Sequence, residues 1–351
     1  MNTTPQPVGL SAEIRKIVRL ALPVVGSQLS FMALNVADVV MSGRLSAVDL
    51  AAVAVGTGFV LPAYVICMGI LMSVNPIVAH LYGAGRLDEV GQKLHNSLWT
   101  ALLLAVPAVL LMFHAGPFLR LLGIEGEVVP LAEGYLRAFG MGLPFAFMFM
   151  CFRFFADGLG FVKPTAVVLA LTVPLNVAGN YVLMYGKLGM PALGAVGTGY
   201  ASAINMMFMA VCLGTWVMVK LGVPYKLRRF HPPHWADFKE IMGIGIPNGV
   251  SLGMELTMFA AVALFVATMG ETQVGAHQIA LNIASVTFMF PLGISLALGI
   301  RVGQAAGRRD MDGVRLTGRG GLVLTCAIQV TMAAVMALFA PTLVGDRKSV
   351  V

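Results

Sequence analysis

Long apolar runs recur along the whole chain, separated by short segments rich in lysine, arginine, glycine and proline. A run of roughly 20 apolar residues crosses the hydrocarbon core of a bilayer as a helix. Nine such spans are predicted, at 17–41, 51–79, 97–118, 131–156, 165–186, 194–219, 241–267, 275–300 and 321–343. Glycine and proline interrupt them freely, which helices in lipid tolerate because neighbouring groups satisfy the freed backbone atoms. The first run is too long for the apolar region of a signal peptide and carries no clear cleavage site, so it reads as a retained helix.

Composition sharpens the class. Of 351 residues, 58% are apolar and 11% charged, whereas a soluble domain is about a quarter charged. The expected fold is an all-α integral membrane protein. Its formal charge of +7 raises nucleic acid as a partner, but the basic residues are scattered through loops, and topology explains them better. Arg15, Lys16, Arg19, Arg86, Lys93, Lys163, Lys220, Lys226, Arg228, Arg229, Lys239, Arg301, Arg308, Arg309, Arg315 and Arg319 fall on one side of the predicted spans. Only Arg44, Arg120 and Lys187 fall on the other. Lysine and arginine accumulate on the cytoplasmic side, which places the N-terminus in the cytoplasm. Cys67, Cys151, Cys212 and Cys326 sit singly in apolar spans, without metal or redox spacing, and read as small apolar filler. No nucleophile–base pair or metal-ligand constellation points to an enzyme.

The chain also repeats itself. Leu22-Pro23 in the first span matches Ile246-Pro247 in the seventh, and Gly69-Ile70 in the second matches Gly293-Ile294 in the eighth, both 224 residues apart. Ala84-Gly85-Arg86-Leu87-Asp88 resembles Ala306-Gly307-Arg308-Arg309-Asp310. Six spans separate the copies, so both enter the membrane in the same direction, as in parallel-repeat transporters with a cavity between the halves. Residues 1–219 form the first lobe with six helices, 220–240 a basic cytoplasmic linker and 241–345 a partial second lobe with three helices. About nine transmembrane helices are thus expected of a full twelve. Residues 346–351, Asp-Arg-Lys-Ser-Val-Val, back-translate into a common sequencing adapter and read as a non-native tail.

Charge at membrane depth is costly and marks a pathway. Asp38 and Glu255 lie deep in apolar runs, whereas Arg137 and Arg153 each have an acid four residues away, Glu133 and Asp157, and read as structural pairs. Gln28, Asn35, Asp38 and Ser42 share one face of the first helix. Thr172, Asn176 and Asn180 form a stripe on the fifth, with Thr198 opening the sixth. A carboxylate among neutral oxygens suits a hard cation or an exchangeable proton. Asn248, Ser251 and Glu255 repeat the theme on the seventh helix, and Gln278, Asn282 and Ser285 on the eighth beside His277. Residue 262, 224 beyond Asp38, is a valine, so the two acids are not copies of one site. Gln28, Asn35, Asn248, Gln278 and Asn282 are assigned to a substrate cavity. The 23 methionines and the phenylalanines of the fourth span (Phe145, Phe147, Phe149, Phe152, Phe154 and Phe155) read as packing.

The segments LALPVVGSQLSFMALNVADVVMSGRL (20–45), DGLGFVKPTAVV (157–168), PLNVAGNYVLMYG (174–186), GAVGTGYASAI (194–204), PNGVSLGMELTMFA (247–260) and VGAHQIALNIASVTFMFPLGIS (274–295) resemble the multidrug and toxic compound extrusion (MATE) family, in particular its NorM-type bacterial branch. The resemblance implies two six-helix lobes in a bacterial inner membrane. It implies a monomeric antiporter that needs no cofactor and expels amphipathic, mostly cationic organic compounds in exchange for Na⁺ or H⁺. Asp38 matches the family's N-lobe carboxylate, Pro23 the proline where that helix can bend, and Thr198 the matching threonine. Asn180 stands where some relatives carry a second aspartate, with Asn176 one turn before it, and Glu255 matches a C-lobe cation-binding glutamate. The resemblance makes Asp38 and Glu255 the Na⁺ ligands if Na⁺ is the coupling ion. A flippase for lipid-linked sugars would share the architecture but needs a cationic cavity, and a shortened product could be inactive.

Overall fold

The computed structural model describes residues 9–121, 123, 126–227, 229 and 231–345; the tail at 346–351 lies outside them. Among the described residues every regular element is a helix. In chain order these are α1 (Leu10–Leu45), α2 (Ala47–Met72), α3 (Val74–Gly83), α4 (Leu87–Phe113), α5 (Ala115–Leu121) and α6 (Val128–Gly158). They continue with α7 (Val162–Leu183), α8 (Ala195–Lys220), α9 (Trp235–Ala267), α10 (Glu271–Gly307) and α11 (Met311–Gly345). With α2 and α3 taken as one, eight spans of the described residues are long and apolar enough to cross a membrane. The ninth predicted span, 321–343, lies inside α11. The protein is a multi-pass membrane protein.

Helices outrun the predicted spans because hydropathy marks the lipid-facing part, while backbone hydrogen bonding continues into the interface. α1 begins seven residues before its apolar run, with Glu13 in its first turn, where the helix dipole favours an acid. Its far end breaks at Ser46, whose extended backbone (φ −159°) starts α2. The Ser46 hydroxyl accepts from the Asp49 N–H at 2.9 Å, a standard N-cap. The Asp49 carboxylate accepts from the Ser46 hydroxyl at 2.6 Å and from the N–H of Ala195, the first residue of α8, at 2.7 Å, so it ties the start of α2 to the start of α8.

α6 is buried along most of its length, packing on α8, α4 and α2. Its phenylalanines Phe147, Phe149 and Phe155 fill the main core, as the packing reading expects. Lipid gives helices no hydrophobic reason to associate, so close packing relies on small residues. Gly199 sets α8 against Tyr135 and Ala138 of α6, and Gly142 sets α6 against Ala203.

The same device joins the two halves, and it follows the repeat. Gly69 of α2 packs on Gly249 of α9, and Gly293 of α10 packs on Val25 of α1. Each residue of the second contact stands 224 positions from its counterpart in the first. Gly83 against the carbonyl of Gln304, and Gly307 against that of His80, obey the same rule. The sequence repeat is therefore a two-fold relation between contacts.

Polar ties reinforce this end of the molecule. Arg301 of α10 donates twice to Glu13 of α1 through Nη2, at 2.6 and 2.8 Å, and Thr317 of α11 donates to the same carboxylate at 2.9 Å. Lys93 of α4 pairs with Asp237 and Glu240 of α9, and Gln304 donates to the Gly158 carbonyl at 3.1 Å. Arg301 and Lys93 are two of the residues that the sequence assigns to the cytoplasmic side. Towards the opposite end, α9 beyond Gly253 and the first half of α10 are largely exposed.

A Cβ at Gly69 would stand 2.5 Å from the Gly249 Cα, whereas one at Gly58 meets nothing within 4 Å. Gly69→Ala is therefore expected to destabilise by about 1–3 kcal/mol through overpacking against backbone, with Gly58→Ala neutral or slightly stabilising. Thermal unfolding of the two variants in detergent checks the contrast.

Candidate functional site

α1 and α7 lie against each other, and their polar stripes meet. Asn176 and Asn180 are one turn apart on α7, and both amides donate to Oδ1 of Asp38, at 3.0 and 2.7 Å. Asn180 Nδ2 also reaches the Asn176 oxygen at 3.3 Å. Both asparagines are buried, at 2% and 0% exposure, while Asp38 is half-buried. The period of 3.6 residues aligns the stripe, and the need to satisfy a carboxylate at membrane depth explains why the two stripes face each other.

Asp38 opens onto a cavity of about 220 Å³. Asn35 and Asn176 line it beside Asp38, with Phe31, Tyr64, Phe139, Met206 and Met209 forming much of the apolar wall. Thr57, Tyr135, Ser202 and Asn205 add polar groups, and the Thr57 and Tyr135 hydroxyls lie 3.4 Å apart. Asp38 is the one charged residue among the described residues lining it.

Other predicted site residues go elsewhere. Gln28 shares the Asp38 face of α1, yet its side-chain oxygen accepts from Arg153 of α6 at 2.8 Å, and it is not among the cavity-lining residues. Thr198 is fully buried and donates to the Met184 sulfur at 3.6 Å. Asn248 donates to the Gly69 carbonyl at 2.8 Å, within the contact between halves. Glu255, Gln278 and Asn282 are exposed on α9 and α10, and no described cavity gathers them. Pro23 lies inside α1, where its carbonyl accepts from the Ser27 hydroxyl at 3.0 Å. The expected pairs form: Arg153 with Asp157 at 3.7 Å and Arg137 with Glu133 at 3.6 Å, the latter shared with Arg120.

Sequence reasoning missed Thr57, Tyr64, Tyr135, Ser202, Asn205, Met206 and Met209. Asn205 carried a signal, an amide isolated in an apolar run. The methionines did not, since a methionine lining a cavity and one facing lipid look alike in sequence.

Chemically, the site is one carboxylate ringed by neutral amides. A single carboxylate beside amide oxygens is a hard, oxygen-only donor set, of the kind that hard cations take and softer transition metals do not favour. It does suit a proton or a single monovalent cation. Oδ1 of Asn180 is buried without a hydrogen-bond partner among the described residues, a neutral oxygen beside the carboxylate.

Removing one amide from the carboxylate should cost about 1–3 kcal/mol. Asn180→Ala is expected to lower stability by that amount, and by much less in an Asp38→Asn background. A double-mutant cycle on unfolding free energies reads the coupling directly.

Known proteins resemble this chain along most of its length. The MatE family model matches residues 23–182 and 247–345, and the two stretches begin at the prolines that the internal repeat pairs. The probable multidrug resistance protein NorM of Geobacillus kaustophilus is 38% identical over 97% of this chain and 74% of its own length. The multidrug resistance protein NorM of Aliivibrio fischeri is 34% identical over 93% of this chain and 72% of its own. A crystal structure of MATE in the bent conformation superposes with a TM-score of 0.84 at 25% identity, over 95% of this chain and 75% of that one. With both halves matched, the chain belongs to the MatE family.

Proposed function

We propose that this chain is a secondary active antiporter that exports amphipathic, mostly cationic drugs and toxic organic compounds in exchange for Na⁺ or H⁺. It works as a monomer in a bacterial inner membrane, with its N-terminus in the cytoplasm. The relatives named as multidrug resistance proteins NorM support the substrate class. The observation that carries the reading is that, among the described residues, the cavity lining carries one charge, that of Asp38, and it is negative.

The chemistry is competition for Asp38. An organic cation is attracted to the ionised carboxylate in a poorly solvated cavity, where a charge pair is far stronger than in water. A proton or Na⁺ arriving from the other side neutralises the same oxygens and removes that attraction. The coupling ion then shifts the conformational balance by its differential affinity for the two states. With asparagine at 180, the site has one formal charge to exchange. Apolar and aromatic walls with two methionines adapt to varied substrates. An anionic headgroup would meet an uncompensated carboxylate, which disfavours the flippase reading. Glu255 is proposed as a second cation site on α9.

Asp38→Asn is expected to lower ion-driven efflux of a cationic dye from proteoliposomes at least about a hundredfold, the effect of removing a buried charge interaction of roughly 3 kcal/mol. Imposed pH and Na⁺ gradients, applied separately to the unaltered protein, identify the ion. Efflux by Asp38→Asn at the unaltered rate would exclude the scheme.

A further inference from the structure

Arg153 of α6 is buried (7% exposed) and touches α1 at two points. Its Nη2 donates to Gln28 Oε1 at 2.8 Å, and its guanidinium carbon stands 5.2 Å from the centroid of the Phe31 ring. Gln28 and Phe31 are three residues apart, on one face of α1. Phe31 in turn lines the Asp38 cavity. The arginine's acid, Asp157, is held more loosely. Its Oδ2 is 3.7 Å from Arg153 Nε, beyond hydrogen-bond reach. Both Nε of Arg153 and Oδ1 of Asp157 are buried without a hydrogen-bond partner among the described residues.

α1 is divided by Pro23, which supplies no N–H to the turn before it. Just beyond, the hydroxyls of Ser27 and Ser30 bond back to the carbonyls of Pro23 and Gly26, a pattern that favours bending. The half before Pro23 is fixed through Glu13 to Arg301 and Thr317. The half after it carries Gln28, Phe31 and Asp38, and it is this half that Arg153 touches.

We propose that Arg153 is a positioning residue: it clamps the Asp38-bearing half of α1 through Gln28 and Phe31, and closes onto Asp157 when that half swings away at Pro23. The second partner matters because a buried guanidinium that simply lost Gln28 would be left further unsatisfied, which is costly. With Asp157 already paired at 3.7 Å and less than an ångström beyond hydrogen-bond distance, release of α1 is offset by tightening this ion pair into a hydrogen-bonded one. The clamp therefore has two states and can be biased by what binds at Asp38. This inference rests on the antiport reading for its purpose, but its test does not.

The test uses the full chain in nanodiscs, with the four native cysteines replaced and spin labels at Val40 on α1 and Met141 on α6, both exposed. Gln28→Ala removes the clamp's hydrogen bond to α1 and leaves the Phe31 contact and the Arg153–Asp157 pair in place. It should raise the ratio of swung to clamped distances about tenfold, as expected for losing one hydrogen bond to a charged group. Gln28→Glu turns the contact into an ion pair and should lower that ratio. Arg153→Lys, which keeps the charge but loses the fork, should follow Gln28→Ala. Unaltered or same-direction distance distributions in Gln28→Ala and Gln28→Glu would overturn the proposal. So would loss of the folded, monodisperse protein in both, which would make the contact purely structural. A failure of the antiport reading would show instead as unaltered efflux by Asp38→Asn and would leave these distances as they are.

Discussion

The close approach of backbone at Gly69 and Gly249, and again at Gly293 and Val25, is the constraint on which the rest of the structure depends. In lipid, apolar side chains gain nothing by leaving the hydrocarbon, so helices hold together through contact made possible by missing side chains. These contacts occur in pairs related by the 224-residue repeat, which ties α2 to α9 and α1 to α10 on either side of one axis. The halves are thereby fastened at the end where Glu13, Arg301, Lys93 and Asp237 also meet. Towards the opposite end α9 and α10 are largely exposed, and among the described residues no ion pair ties them to α1 or α2 there.

α1 sits at the junction of these effects. Its first half belongs to the fastened end, through Glu13. Its second half faces α7, where Asn176 and Asn180 satisfy Asp38. Pro23 separates the two. A carboxylate at membrane depth must be either partnered or neutralised, so whatever changes the state of Asp38 also changes the balance of forces on the half of the helix beyond Pro23. Burial, the proline and the amide stripe act on the same segment, which is why chemistry and movement can be coupled there.

Much of this was legible in the sequence, because periodicity and hydropathy report on single helices. The spans follow from hydropathy, eight of the nine being long and apolar enough to cross a membrane among the described residues; the paired prolines follow from the repeat and the Asn176–Asn180 stripe from a 3.6-residue period, and the structure brings Asp38 to that stripe. What the period cannot say is which neighbour a face meets. Gln28 shares a face with Asp38 but sits almost three turns away, beside α6, so Arg153 takes it in place of the cavity. Thr198 is buried against Met184 for the same reason. The wall residues Tyr135, Met206 and Met209 were invisible because cavity-lining and core side chains have the same apolar character, and only packing separates them. The ion pairs of Arg153 and Arg137 were legible because both partners lie on one helix. The inter-half pair of Glu13 and Arg301, 288 positions apart, had no local trace.

The central claim is that substrate and coupling ion compete for one carboxylate. The most direct test is the number of ions released when a cationic drug binds. Calorimetric titrations of the purified protein in buffers of differing ionisation enthalpy count protons, and titrations across Na⁺ concentrations count sodium ions. The account predicts about one ion released per drug bound, conditions being set so that the free site is loaded, and none in Asp38→Asn. Drug binding with no ion release, or with the same release in Asp38→Asn, would contradict it.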